Sequence, residues 1–187
     1  SGVHAAVAHL IALGHRRIAY VAGPERYLHA RARRAAWCGA LAAAGLPAGT
    51  WRASDFSAAS GATATRDLLA EPEPPTAIVY ANDVMAIAGI AIAAECGVSV
   101  PERLSVIGFD DIPLAAHVRP ALTTVRADPG AWGQAAARTL LTLVETGEVG
   151  DVSLDPAVLV VRQSSGPTST PRRTAVDRRT GLKGQPL

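Results

Sequence analysis

Lysine is almost missing from the 187-residue sequence: the single copy, Lys183, stands near its end. No Walker A phosphate loop can therefore form in the rest of the chain, and neither a G-x-G-x-x-G turn nor a G-x-S-x-G elbow is present. No nucleophile and base are brought together by spacing, so an enzyme has little support. No run of 18 apolar residues occurs, which excludes a membrane-spanning helix. The opening Ser1-Gly2-Val3-His4-Ala5-Ala6 lacks a charged segment followed by an apolar one, so no secretory leader is expected. Cysteine is scarce as well. Cys38 and Cys96 lie far apart in apolar, helical surroundings, where buried free thiols are expected, in keeping with a reducing cytoplasm. His4, His9 and His15 are spaced by five and six, which does not stack them on one helix face. No cysteine or carboxylate cluster completes a metal site, and no cofactor is expected.

What is present is apolar. The sequence is 49% hydrophobic and 18% charged, with mean hydropathy +0.19, too apolar and too lightly charged for a disordered chain. Its length suits one mid-sized domain, or two lobes sharing a chain, with a real core. The net charge of +2 is unevenly placed. Residues 165–187 hold five of the 18 basic side chains and only Asp177 of the 16 acidic ones, leaving 13 against 15 in residues 1–164. A slightly acidic body is no nucleic-acid surface by electrostatics alone. The segment 165–187, rich in Ser, Thr, Pro, Gly and Arg, is expected to be a disordered basic tail, with residues 1–164 as the folded domain.

Along the body, helix and strand alternate. Val3–Leu13 has helical spacing of Val3, Val7, Leu10 and Ile11 and stops at Gly14. Arg17–Ala22 is a buried strand, His29–Ala44 a helix ending at Gly45, and Thr50–Ala53 a weak strand. Further helices are expected at Ser57–Ala70, Asn82–Cys96 and Trp132–Glu145, with strands at Ala77–Tyr80, Ser105–Gly108, Thr123–Val125 and Ala157–Val161. Continuous apolar strands separated by long helices imply a parallel sheet covered on both faces, an α/β fold. A domain of this kind that opens with a helix lacks the strand that should precede it, which suggests the C-terminal part of a longer chain. Helix 84–96 carries only Glu95 as a charge. A helix apolar all round is buried all round, and since one sheet face covers only one side, a subunit interface is the expected second cover.

Ligands of open parallel sheets bind beyond the carboxyl ends of the strands. Those junctions read Gly23-Pro24-Glu25-Arg26-Tyr27, Asp55-Phe56-Ser57, Asn82-Asp83, Phe109-Asp110-Asp111 and Arg126-Ala127-Asp128. Amides and carboxylates beside aromatic faces suit a sugar or similar polyol. Helix capping accounts for each residue taken singly, above all for Asp55 and Ser57, and both readings stay open for Asn82, Asp83 and Asp111. Of the adjacent Asp110 and Asp111, one is expected to face the crevice and the other to cap. Arg33 lies four residues before Trp37 and eight before Leu41, on the packed stripe of its helix. A charge there either snorkels to the crevice mouth to meet a ligand or forms an internal ion pair.

Four segments carry a family resemblance. They are His9-Leu10-Ile11-Ala12-Leu13-Gly14-His15-Arg16-Arg17-Ile18-Ala19, Tyr80-Ala81-Asn82-Asp83-Val84-Met85-Ala86, Ser105-Val106-Ile107-Gly108-Phe109-Asp110-Asp111, and Leu122-Thr123-Thr124-Val125 with Gly133 and Ala136 beyond it. In order and spacing they resemble the second half of LacI/GalR-type transcriptional regulators. The resemblance implies a periplasmic-binding-protein-like core, here mainly the second lobe with crossover elements of an incomplete first lobe. The resemblance also implies that the DNA-reading headpiece of such regulators is not among these residues. It implies a small-molecule effector contacted by Arg33, Phe56, Asn82 and Asp110, with Tyr27 where some members place another contact. Ala127 and Pro129 depart from the pattern, which often has Gln and a longer apolar residue there. It further implies operator DNA bound only through the missing headpiece, a homodimer with helix 84–96 in its interface, and a cytoplasmic location. A transporter's substrate-binding protein is the alternative, and a sugar-processing enzyme a third reading.

Overall fold

The computed structural model describes residues 2–151 and 154–168. The larger part of the expected tail, residues 169–187, lies outside the described residues. The elements run α1 (Gly2–Ala12), β1 (Ile18–Ala22), α2 (Leu28–Ala43), β2 (Trp51–Ala53), α3 (Ala58–Leu69), β3 (Ala77–Tyr80), α4 (Asp83–Glu95), β4 (Ser105–Phe109), a 3₁₀ turn (Pro113–Ala116), β5 (Thr123–Arg126), α5 (Pro129–Thr146) and β6 (Val158–Val160). One sheet in the order β2-β1-β3-β4-β5-β6 joins all six strands. The first five are mutually parallel, as their unbroken apolar runs predict, and every residue of β1, β3 and β4 is buried. β6 departs from that pattern. It pairs antiparallel with β5, because the chain doubles back after α5 instead of crossing over.

The strand order reverses between β1 and β3. From β1 the chain steps outward to β2, then returns to the other side of β1 as β3, and continues to β4. Right-handed crossovers then require α2 on one face of the sheet and α3 with α4 on the other. α1 packs on α2, and α3 packs on α4. The core between them contains Leu10, Tyr20, Trp37, Leu41, Leu68, Ile78, Met85 and Ile107.

Two sequence-based expectations change here. Cys38 and Cys96 are free but exposed. The buried Trp37 turns α2 so that residue 38 points outward, and Cys96 occupies the C-cap of α4, beyond the packed turns. α4 has a second cover within its own chain. Met85, Ala86, Gly89, Ile90, Ile92 and Ala93 are buried, the helix packing on both the sheet and α3, and only Val84, Ala91, Ala94 and Glu95 of its residues are exposed. α5, in contrast, has no buried residue, and Trp132, Leu140, Leu141 and Val144 are exposed.

Candidate effector site

In a doubly wound sheet the strand loops diverge at the point where the order reverses, and a crevice opens at the carboxyl ends there. β1 and β3 flank that point. Arg33 of α2 reaches it and donates Nη1–H to the carbonyl of Ala81, just past β3, at 2.7 Å. Its guanidinium carbon lies 3.5 Å from the centroid of the Phe109 ring at the end of β4, and Nη2 lies 3.8 Å from Asp110 Oδ1. A cation over an aromatic face, held by a single carbonyl, keeps donors to spare for a ligand. Burial lowers the Arg33 pKa from its usual value, opposed by the nearby Asp110 and Tyr20. The two halves of the pair differ in exposure: the Arg33 side chain is 22% exposed and that of Asp110 45%.

Beside this pair lie three rings. Tyr27, at the N-cap of α2, stacks on His29 with centroids 5.5 Å apart, and His29 stacks on Phe56 at 5.8 Å. Tyr27 and Phe56 are 6.2 Å apart and tilted by 34°. Gly23 closes the underside, since a Cβ there would overlap the Phe56 ring. Phe56 itself sits at φ 72°, a left-handed conformation that costs a non-glycine residue of order 1 kcal/mol or more. Asn82 sustains it. Its side-chain amide donates to the Phe56 carbonyl at 3.0 Å while its Oδ1 accepts the Met85 N–H at 2.9 Å, capping α4. Asp55 and Ser57 cap the neighbouring turn, as their composition predicts: Ser57 N–H donates to Asp55 Oδ1 at 2.9 Å and Ser60 N–H to Ser57 Oγ at 3.1 Å. The hydroxyls and amide of Ser57 and Ser60 hold the Asp55 carboxyl down to about 2.

The carboxylates after β4 divide their roles. Asp110 and Asp111 both have positive φ, 116° and 54°, in the turn that leaves the strand. The Asp110 N–H donates to the Val125 carbonyl at 2.8 Å, which leaves its carboxylate toward Arg33. Burial raises the Asp110 pKa, against the pull of Arg33 and His29. Asp111 does not cap. It accepts from Arg162 at 2.6 Å and lies 3.5 Å from Arg126. Asp83 is fully buried and caps nothing, a role Asn82 has taken.

The structure thus brings Tyr27, Arg33, Phe56, Asn82 and Asp110 to one end of the sheet. His29 and Phe109 complete the arrangement. Phe109 was legible as the aromatic that opens the Phe109-Asp110-Asp111 junction, whereas His29 reads as an ordinary first-turn residue until its neighbours' rings are placed. Tyr27, His29 and Asp110 are exposed at this end of the sheet, Arg33, Phe56 and Asn82 are half-buried, and Phe109 is buried. Cavities of about 470 and 440 Å³ lie along α5, and one of about 430 Å³ at the opposite, amino edge.

The sequence pattern of the family described as a periplasmic binding protein-like domain matches residues 7–165. The chain belongs to that family. Within the periplasmic binding protein-like family, it is 37% identical over 168 residues to the lactose operon repressor of Klebsiella pneumoniae, covering 90% of this chain and 48% of that protein. It is 36% identical over 163 residues to the transcriptional repressor CytR of Escherichia coli K12, covering 86% of this chain and 48% of the repressor. Its fold superposes on the Lac repressor dimer bound to operator and the anti-inducer ONPF with TM-score 0.83 at 36% identity, covering 88% of this chain and 57% of that one. The chain spans about half the length of the curated relatives it matches.

Proposed function

We propose that this chain is the effector-sensing part of a LacI-type transcriptional regulator, binding a sugar or related polyol at Arg33, Asp110, Phe56, Tyr27 and Asn82. One observation carries the reading: an Arg–Asp pair with unspent hydrogen-bonding capacity lies beside a three-ring apolar surface at the point where strand order reverses. Hydroxyls bond the pair while the C–H face of the ligand covers the rings. Asn82 contributes chiefly by holding Phe56 and its own helix start, since both ends of its side chain are engaged. Ligand binding would favour one arrangement of two lobes and so change operator affinity through a headpiece that lies outside this sequence, in the cytoplasm. The repressors similar to this chain support a regulator over a transport protein or an enzyme.

Calorimetric titration of the intact regulator with a panel of mono- and disaccharides and nucleosides tests the reading. Asp110→Ala and Arg33→Ala are each expected to weaken the responsive ligand about 5- to 150-fold, equivalent to roughly 1–3 kcal/mol, with the fold retained. Unchanged affinity in either removes that residue from the site. Turnover of a bound sugar would instead make the protein an enzyme.

A homodimer through α4 belongs to the same proposal, with its contact strip relocated. Ile90, Ile92 and Ala93 are buried within one chain, so the outward Val84, Ala91 and Ala94 form the partner surface. Ala91→Arg is expected to give a folded monomer by sedimentation and Ile90→Arg an unfolded chain. A dimer that survives Ala91→Arg refutes the interface.

A further inference from the structure

We propose that Asp83 is a positioning residue of the effector site, its buried carboxylate fixing the turn that presents Asp110. This rests on the assignment of Asp110 to the effector. Asp83 is the first residue of α4 and has no solvent exposure. Its two oxygens bind two different elements. Oδ2 accepts the backbone N–H of Ile112 at 2.9 Å, and Oδ1 accepts the hydroxyl of Thr124 on β5 at 2.5 Å. Room for the carboxylate comes from Gly108 on β4, where a Cβ would overlap it.

The consequence for Asp110 is geometric. Residues 110 and 111 turn away from β4 through two positive φ angles, a path that L-residues do not hold unaided. The turn is fixed at both ends: Asp110 N–H on the Val125 carbonyl, and Ile112 N–H on Asp83. Thr124 and Val125 are adjacent on β5, so Asp83 clamps the same strand that receives the Asp110 amide. An ionised carboxylate accepts both bonds with no donor of its own, whereas a protonated one must turn a hydroxyl toward one of two donors. Losing the charge therefore loosens either the turn or its strand.

The charged groups around Asp83 are few. On the β4 turn are Asp110 and Asp111, both of which raise its pKa. Asp111 is paired with Arg126 of β5 and Arg162 beyond β6, and Asp110 faces Arg33 of α2. Burial is the largest influence and, opposed by the bonds from Thr124 and Ile112, pushes the Asp83 carboxyl up to about 6.

Amide chemical shifts of the isotopically labelled 187-residue chain, followed from pH 4.5 to 8 without any ligand, test the proposal. The Ile112 N–H is expected to titrate with a midpoint near pH 6, with the Asp110 N–H moving in step. The Ser60 N–H, bonded at the Ser57 cap, is expected to stay still. In Asp83→Asn the Ile112 transition disappears, and in Asp110→Asn it persists. Thr124→Val keeps the shape but removes a bond to the charged form, so the midpoint moves upward; this variant decides the matter if Asp83→Asn does not fold. An Ile112 amide that does not titrate, a transition that survives Asp83→Asn, or a midpoint indifferent to Thr124→Val overturns the proposal. None of these outcomes depends on whether Asp110 contacts an effector, which the calorimetric variants decide separately.

Discussion

The two edges of one sheet are built from similar polar residues and end up doing opposite things. At the amino edge the buried polar groups of His15, Ser105 and Ser164 are bonded within the chain. His15, 2% exposed, contacts the Thr76 hydroxyl through Nδ1 at 2.9 Å and the Gly166 carbonyl through Nε2 at 2.9 Å. Ser164 donates to the Val106 carbonyl at 2.6 Å and accepts from Thr123 N–H at 2.8 Å, and Ser105 and Gly166 bond each other twice. At the carboxyl edge, Arg33 and Asp110 meet only at 3.8 Å, His29 is exposed, and three non-glycine residues take positive φ. Polarity alone does not mark a site. The proposed site differs by its unspent hydrogen-bonding capacity beside strained backbone.

The contrast is sharpened most by removing one closed bond at the amino edge. Ser164→Val leaves a buried amide and a buried carbonyl unpaired, and is expected to cost about 3 kcal/mol in urea unfolding with little change in the slope. Intact effector contacts are expected in the fraction that folds. The converse variant at the carboxyl edge is Asp110→Gly. Relief of the 116° φ is expected to stabilise the fold by about 1 kcal/mol while ligand affinity falls, the signature of strain maintained for binding. A loss of stability on that change would break the comparison.

Acid unfolding separates two carboxylates of the same edge by sign. The Asp83 pKa is raised from 3.8 to about 6, so its contribution is fully present below pH 4 and is lost as pH rises toward 6. Asp55 is depressed from 3.8 to about 2, so its contribution is present above pH 4 and is lost as pH falls through 2. Midpoint denaturant measurements across pH 2–7 are expected to flatten between 4 and 6 in Asp83→Asn and below 4 in Asp55→Asn. The smallest effect belongs to the thiols. Cys38→Ser and Cys96→Ser are expected to stay within about 0.5 kcal/mol of the parent in the same assay, since both are exposed.

Much of the fold was legible because β1, β3 and β4 are unbroken apolar runs and each helix ends at a glycine or begins at a cap. Of the candidate site, Phe56, Asn82 and Asp110 were legible as residues that follow strands, and Arg33 as a charge on the packed stripe of its helix. What sequence could not supply is which side chains close on one another. Asn82 and Asp83 are adjacent and chemically alike, yet one caps α4 and the other is buried beneath β5. That difference is set by the missing Cβ of Gly108, 25 residues along the chain. The exposure of Cys38 follows from the rotation of α2 about Trp37, which local apolar composition does not encode. The antiparallel β6 escaped because its short apolar run reads the same in either direction.

The closed amino edge also has a temporal side. His9 and Leu13, at the end of the first helix, hold Ser165 and Thr168, through a side-chain contact at 3.0 Å and a backbone bond at 3.1 Å. Contacts joining segments separated by some 155 residues close a loop that spans most of the described residues, and loop closure of that span is slow relative to local helix formation. The seam formed by residues 163–168 is therefore expected to close after the local pairings of the sheet. A ribosome that has released β4 but not yet Ser164 holds a sheet whose amino edge still faces water. Until then the Ser105 and His15 side chains are solvated, and the seam closes only when its last strand of chain arrives.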